Sequence, residues 1–416
     1  MLKKLVSVLL VAIMALSMVS VAFAEDDVIT MWVEAGQEVW MENALALFHE
    51  TYPDVEVEMT IYNTDDMKNQ PKIAAASNTL PDMWQSWGGN LGGYFIDNGL
   101  TYDLTEVAKE LNFSEVFTEA AMSASSRGDK VVSIPRNMST YGIIYHKPTF
   151  EAAGWTELPK TAEELDQLLA DIKEKTGKAP LAFASGNGWQ MMRLMMYLLD
   201  ANCGSETLDK MLNMETDWNN PGTVAALTKL KEWADKGYFP EGYITLQPND
   251  TRMLLYAGLA AITSGSISEL SSIIGEGYDV NEFGIMPFPD SSEDGYTRQN
   301  VGTNVLLLSP ELTPEKAKIV AFLGMCISDP TVAKATIEAG GSQGTTIGYG
   351  SRKDYVATIE QAQTLTDFTN IYGPMVLIDQ ALTAENADLW FYVQDVVCEG
   401  TMTPEEALAY FDANRK

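Results

Sequence analysis

The sequence predicts an α/β protein. Three observations carry this reading. Strand and helix patterns alternate from the start of the chain, helix starts are marked by capping and proline signals, and no repeat, linker or low-complexity tract interrupts the alternation. Val28 to Val33 reads as a short apolar strand. A helix follows over about residues 37–51, with Trp40, Ala44, Leu47 and Phe48 on one face, and Pro53 stops it. Residues 55–61 alternate strictly, apolar at Val55, Val57, Met59 and Ile61, as a half-buried strand does. A helix over 64–77 and the strand Met83 to Ser86 complete a β-α-β-α-β opening.

The same style continues. Thr161-x-x-Glu164 is a capping box before the stripe Leu165, Leu168, Leu169, Ile172. Asn220-Pro221 starts another helix, with Val224, Leu227 and Leu230 on its core face and Gly237 after its end. Thr313-Pro314-Glu315 and Thr403-Pro404-Glu405-Glu406 start two more. Short apolar strands are expected near 141–145, 179–184, 259–263, 283–287 and 303–308, and the last sixty-odd residues read as nearly all helix.

Composition narrows the function. The chain has 416 residues, 27 Lys and Arg against 58 Asp and Glu, and a formal charge of −31. Such a chain lacks the clustered cations that nucleic acid or an anionic membrane surface requires. With only two histidines, His49 and His146, a multi-His metal site or a His-based relay is not expected. No cofactor motif is present: there is no G-x-x-x-x-G-K-[ST], no G-x-G-x-x-G after a strand, no H-E-x-x-H and no G-x-S-x-G. Asp290-x-Ser292-x-Asp294-Gly295 begins like a calcium loop, but its twelfth position is Val301, so a polar turn is expected and no metal.

Residues 1–24 have a cationic start at Lys3 and Lys4, an apolar run, and Ala22-Phe23-Ala24 before an acidic stretch. This is the pattern of a signal peptide. Its removal would take the formal charge from −31 to −33 and leave a soluble, exported chain, periplasmic or released. Cys203, Cys326 and Cys398 form no disulfide framework, and none lies at the cleavage site, so no lipid anchor is expected.

Aromatic placement is the informative feature. Trp84, Trp87, Trp189 and Trp218 fall at strand ends or in loops rich in Gly and Asn. Rings beside amides and hydroxyls suit sugar recognition, while the competing reading is core aromatics at loop exits. Trp40 and Trp233, on helical faces, read as core or hinge-side.

The chain resembles the extracellular solute-binding proteins that serve ABC importers of sugars, the class that includes maltose-binding protein. Several blocks carry the resemblance in order: Ile29-Thr30-Met31-Trp32, Leu80-Pro81-Asp82-Met83-Trp84, Gly142-Ile143-Ile144-Tyr145-His146-Lys147, Pro159-Lys160-Thr161, Ala257-Gly258-Leu259-Ala260-Ala261-Ile262 and Phe283-Gly284-Ile285-Met286-Pro287. It implies a two-lobe periplasmic-binding-protein type II fold with an interlobe cleft and hinge. The N-lobe would hold residues 25–136 and 290–342, and the C-lobe 137–289 and 343–416. Crossings would lie near Pro135–Met138, Pro287–Asp290 and residues 340–350. A carbohydrate, expected to be an oligosaccharide, would sit in the cleft of a monomer, and the permease subunits of an ABC transporter would receive it without chemistry.

The resemblance places the ligand contacts at Glu34, Gln37, Ser86, Trp87, Asn90, Arg136, Asn137, Tyr141, Trp189, Gln190 and Ser266. Glu34 and Gln37 are read either as hydroxyl contacts or as a cap on the next helix. Arg136 suits a hydroxyl pair, a uronate carboxylate or an interlobe ion pair. Ser264-Gly265-Ser266 stands where relatives carry a "G-x-W", so one stacking ring is missing. Trp390 is a further ring that aligns loosely. Two other classes stay open: a carbohydrate-active enzyme using two of the many carboxylates, and a binder of a cationic or peptide solute drawn by the negative charge.

Overall fold

A computed structural model describes residues 28–290 and 295–416. The expected signal peptide and the centre of the Asp290–Gly295 turn lie outside the described residues. Strand β1 (Ile29–Glu34) runs parallel to β2 (Val57–Tyr62) and β3 (Met83–Trp87), with α1 (Glu38–His49) and α2 (Thr64–Ser77) as crossovers. Ile29, Met31 and Val33 point into one core, and α1 buries Trp40, Met41, Ala44 and Phe48 against it. Asn63 starts α2 by accepting the Asp66 N–H at 2.9 Å.

After β3 comes α3 (Asn90–Asp97). The glycines between them have a steric reason. A Cβ at Gly88 would lie 1.5 Å from Thr303 Oγ1. Gly89 has φ +63°, and a Cβ there would lie 2.1 Å from the Gln380 carbonyl oxygen. Only glycine meets both demands.

The chain then enters β4 (Ile134–His146), the longest strand. The second lobe follows with α4 (Ala162–Thr176), β5 (Ala179–Leu181), α5 (Trp189–Cys203), α6 (Pro221–Asp235), α7 (Pro248–Tyr256), β6 (Ala260–Ser266), α8 (Ile267–Gly275) and β7 (Phe283–Met286). Strand β8 (Gln299–Leu308) returns to the first lobe, where α9 (Pro314–Ile327) and α10 (Pro330–Glu338) pack. The chain ends in the second lobe with α11 (Glu360–Tyr372), β9 (Pro374–Val376), α12 (Ala384–Glu399) and α13 (Pro404–Asn414).

The main sheet has the order β2-β1-β3-β8-β4-β6-β5, with β9 beside β8 and β7 beside β4. One core gathers Trp40, Phe48, Met83, Phe113, Leu306 and Val320. Another gathers Leu168, Tyr197, Trp218, Leu230, Trp390 and Phe411. The early half of β4 pairs with β8, and its late half pairs with β6 and β7, so the lobes exchange within a strand.

Several expectations shift. The second crossing lies inside β8 and not at Pro287–Asp290. Arg298 is bound to Asp200 and Asp209 of the second lobe, and Gln299 to Val301 pair with β9, whereas Asn304 to Leu308 pair with β3. The third crossing is longer than residues 340–350. Arg352 still pairs with Asp329 of the first lobe, and α11 is the first element wholly in the second. At α4, Thr161 accepts the Glu164 N–H, but the Glu164 carboxylate takes the Lys160 N–H instead of closing the box on Thr161. Trp84, Trp218 and Trp390 are fully buried, and Trp218 packs on Trp390 with ring centroids 4.7 Å apart. These rings fill cores, because helices and strands from several parts of the chain close over them. Burial raises the thiols of Cys326 and Cys398 to about 12, which leaves both poor nucleophiles at neutral pH.

Two predictions follow from this packing. Trp390→Ala opens a large cavity between Trp218 and Phe411 and lowers unfolding free energy by about 3–5 kcal/mol; urea titration measures it. Asp395, which accepts a hydrogen bond from Ser185, is raised by burial to about 6. Its folded form therefore holds a proton that the unfolded chain has released, so it disfavours folding as pH rises through the window from about 4 to 6. Denaturation at pH 4 and pH 7 should show wild type losing stability relative to Asp395→Asn over that interval. An unchanged difference between the two proteins would contradict this.

Candidate functional site

The two lobes enclose a cavity of about 260 Å³. The first lobe contributes Glu34, Gly36, Gln37 and Trp40 from the end of β1 and the start of α1, with Gln85 and Trp87 from β3. The crossing strands supply Arg136, Asn137, Ser139, Tyr141 and Asn304. The second lobe supplies Arg193, Arg252, Ser266, Ser268 and Glu269, and the turn after α10 adds Ser342, Gln343 and Thr346. The site lies at the C-terminal ends of β1 and β3, where open α/β sheets meet ligands.

A β-bulge shapes the floor. Asn304 faces Asn137, but the next partners are Val305 and Pro135, so Arg136 is the extra residue on β4. Strict alternation would send Arg136 to the opposite side from Asn137, Ser139 and Tyr141. The bulge brings it onto the cavity wall with them.

Each charged group on the wall has a distinct environment. Glu34 accepts from Gln85 at 3.0 Å and Gln37 at 3.3 Å, and from the Thr64 hydroxyl. Arg136 donates to Gln37 Oε1 at 2.6 Å, and its guanidinium lies 3.9 Å from the Trp40 ring centroid. Burial lowers Arg136 to about 10, partly opposed by Glu34, so it stays charged at neutral pH. Arg193 lies between the rings of Tyr141, at 4.0 Å, and Trp189, at 4.3 Å. Its pKa is lowered chiefly by burial. Arg252 is paired with Glu269 at 2.8 Å. Burial works against its charge and is the largest single influence, but Glu269 together with Tyr256 and Tyr141 outweighs it and the pKa is raised. The Tyr256 hydroxyl also donates to Glu269. Cation–π contact of about 0.5–2 kcal/mol each helps hold these arginines out of bulk water.

The structure brings together Glu34, Gln37, Trp87, Arg136, Asn137, Tyr141 and Ser266. Glu34 and Gln37 do not cap α1: the helix start has no side-chain cap, and the two side chains bind each other and their neighbours. Ser266 caps α8 through the Ser268 N–H at 3.2 Å, so a helix start with hydroxyls stands where a ring is missing. Three predicted contacts fall elsewhere. Ser86 is buried beside a small second pocket under α2. Trp189 stands behind Arg193 and Arg252 rather than on the wall. Gln190 is structural: it accepts from the Ala184 N–H at 2.7 Å and the Thr251 hydroxyl at 2.8 Å.

Sequence reasoning missed Arg193, Arg252 and Glu269. Arg193 had a signal, since it is the one cation in the apolar run Met191-Met192-Arg193-Leu194-Met195-Met196 of α5. Arg252 and Glu269 had none, because only the fold sets α7 against α8. Among the described residues no group of three or more His, Cys, Asp or Glu is placed to hold a metal ion. The wall offers hydroxyls, amides, guanidiniums and three rings, Trp40, Trp87 and Tyr141, which is the donor set for a polyol.

Residues 33–332 match the family described as bacterial extracellular solute-binding protein. The diacetylchitobiose binding protein DasA of Streptomyces coelicolor is 24% identical over 165 residues, which cover 39% of this chain and 38% of that protein. This chain therefore aligns with well under half the length of that relative. A chitin oligosaccharide binding protein superposes with a TM-score of 0.83 at 19% identity, covering 94% of this chain and 98% of that one. The maltose-bound T. maritima MalE3 superposes with a TM-score of 0.76 at 19% identity, covering 93% and 98%.

The placement of Gln190 makes a specific prediction. Gln190→Leu strands the Ala184 N–H without its acceptor, while the Thr251 hydroxyl keeps the Pro248 carbonyl at 3.0 Å, and lowers stability by about 2 kcal/mol. Chemical denaturation without any ligand measures this loss. A variant as stable as wild type would show that Gln190 is not holding the segment between β5 and α5.

Proposed function

This chain belongs to the bacterial extracellular solute-binding protein family, and we propose that it captures a carbohydrate between its lobes for an ABC importer. The observation that carries this is the interlobe cavity, whose wall combines aromatic rings with hydroxyl, amide and guanidinium groups from both lobes and from the strands joining them. A sugar fits that mixture: its C–H faces lie on rings and its hydroxyls both donate and accept. Because both lobes contribute, a ligand is fully engaged only when they close, and the closed form is what a permease can distinguish from the empty one.

The cavity volume of about 260 Å³ is at the small end for ligand sites, which favours one or two sugar units held at depth. No bond is broken in this reading. The wall carboxylates Glu34 and Glu269 are taken up by Gln85, Gln37, Thr64, Arg252 and Tyr256 rather than poised as an acid and a base. A cationic solute is disfavoured locally, since three arginines face two carboxylates on the wall despite the chain's charge of −31. Export directed by residues 1–24 would place the protein where such a solute is met.

Thermal-shift screening against neutral and acidic mono- and oligosaccharides tests the reading. A bound sugar at a hundredfold excess over Kd stabilises by about 2.7 kcal/mol and raises the midpoint. Trp87→Ala should weaken binding of that sugar by roughly two- to tenfold, the equivalent of about 0.5–1.4 kcal/mol for a ring contact. Conversion of the sugar on incubation would instead support an enzyme, and a response confined to polyamines or peptides would support a different solute.

A further inference from the structure

We propose that the carbohydrate taken by this cleft bears a carboxylate, as a uronic acid does, and that Arg193 receives it. This deepens the carbohydrate reading and rests on it. Arg193 projects from the buried helix α5 onto the cavity wall, with its guanidinium carbon 4.0 Å from the Tyr141 ring centroid and 4.3 Å from that of Trp189. It makes no ion pair and donates no side-chain hydrogen bond among the described residues, and its Nε is buried without a partner. Every other charge on the wall is committed. Glu34 is held by Gln85, Gln37 and Thr64, Arg136 by Gln37, and Arg252 and Glu269 by each other.

Arg193 is half-buried with its Nε fully buried, and a buried donor is costly unless something supplies the missing acceptor. Asp379 and Glu269 act on it only as nearby charges, and burial raises the Asp379 carboxyl, weakening it as a counter-ion. A neutral hydroxyl would satisfy hydrogen bonding but leave the charge uncompensated. A carboxylate does both, and its two oxygens match the planar fork in a way a single lysine charge would not. The two rings hold the guanidinium in place before the ligand arrives. The surroundings agree. The uncapped start of α1, at Gly36 and Gln37, and the start of α8, at Ser266 and Ser268, both border the cavity and turn the positive ends of their dipoles toward it. A chain of charge −31 repels an anion at a distance, so a built-in cationic floor is what an acidic ligand would need.

Isothermal titration of the purified protein tests this with matched probes: galacturonate and glucuronate, their disaccharides, the uronamides of the same sugars, and the parent neutral hexoses. The acid should bind at least 30-fold more tightly than its uronamide, and Arg193→Gln should reduce that ratio to below threefold. Arg193→Lys should keep an intermediate ratio, since it retains charge and loses the fork. Circular dichroism and the melting midpoint show whether each variant is folded, and the acid-to-amide ratio in wild type stands without any variant. Equal binding of acid and amide by wild type, or an undiminished ratio in folded Arg193→Gln, would overturn the proposal. Binding of neutral sugars with none of uronates would sink this inference alone, whereas no binding by any sugar would sink the carbohydrate reading with it.

Discussion

The molecule depends on one piece of backbone pairing, the antiparallel ladder between β4 and β8. These are the strands on which the chain leaves the first lobe and returns to it. Their hydrogen bonds join the two cores into one sheet while leaving each lobe its own hydrophobic interior. A pivot made of two paired strands resists shear but allows bending, so the lobes can close without losing register. The same ladder supplies the cavity floor. The one irregularity in its register, beside Asn304, turns Arg136 onto the face that already carries Asn137, Ser139 and Tyr141.

The electrostatics of the site follow from what surrounds each arginine. Arg136, Arg193 and Arg252 sit where burial disfavours charge. Two are stabilised in familiar ways, Arg136 by a hydrogen bond to Gln37 and Arg252 by the Glu269 carboxylate. Arg193 has rings on both faces instead, which hold a cation without occupying its donors. Trp189 thus backs two arginines of the wall rather than lining the cavity itself.

Much of the fold was legible in local patterns. The opening β-α-β-α-β, the stripe of α4 and the caps of α6, α9 and α13 depend on neighbours within a few residues, and those neighbours are written in order along the chain. The cavity wall was legible at strand ends, where Glu34 closes β1 and Trp87 closes β3, whereas Arg136 and Tyr141 lie within β4. Reasoning from tryptophans in loops was less reliable. Trp84 and Trp218 sit at equally suggestive places and are core, since burial is decided by elements far away in sequence.

By itself, then, the sequence determined the alternation of strands and helices, the family, and the strand ends that would face a ligand. These rest on periodicity and short motifs. Tertiary structure alone decided which side chains reach the cavity. It moved Gln190 into the backbone support of the loop before α5, because Ala184 and Thr251 converge there. It brought Arg252 and Glu269 together by packing α7 against α8, and it gave Arg193 two rings from separate elements. A buried charge takes its character from partners distant in sequence, and only the folded chain assembles them.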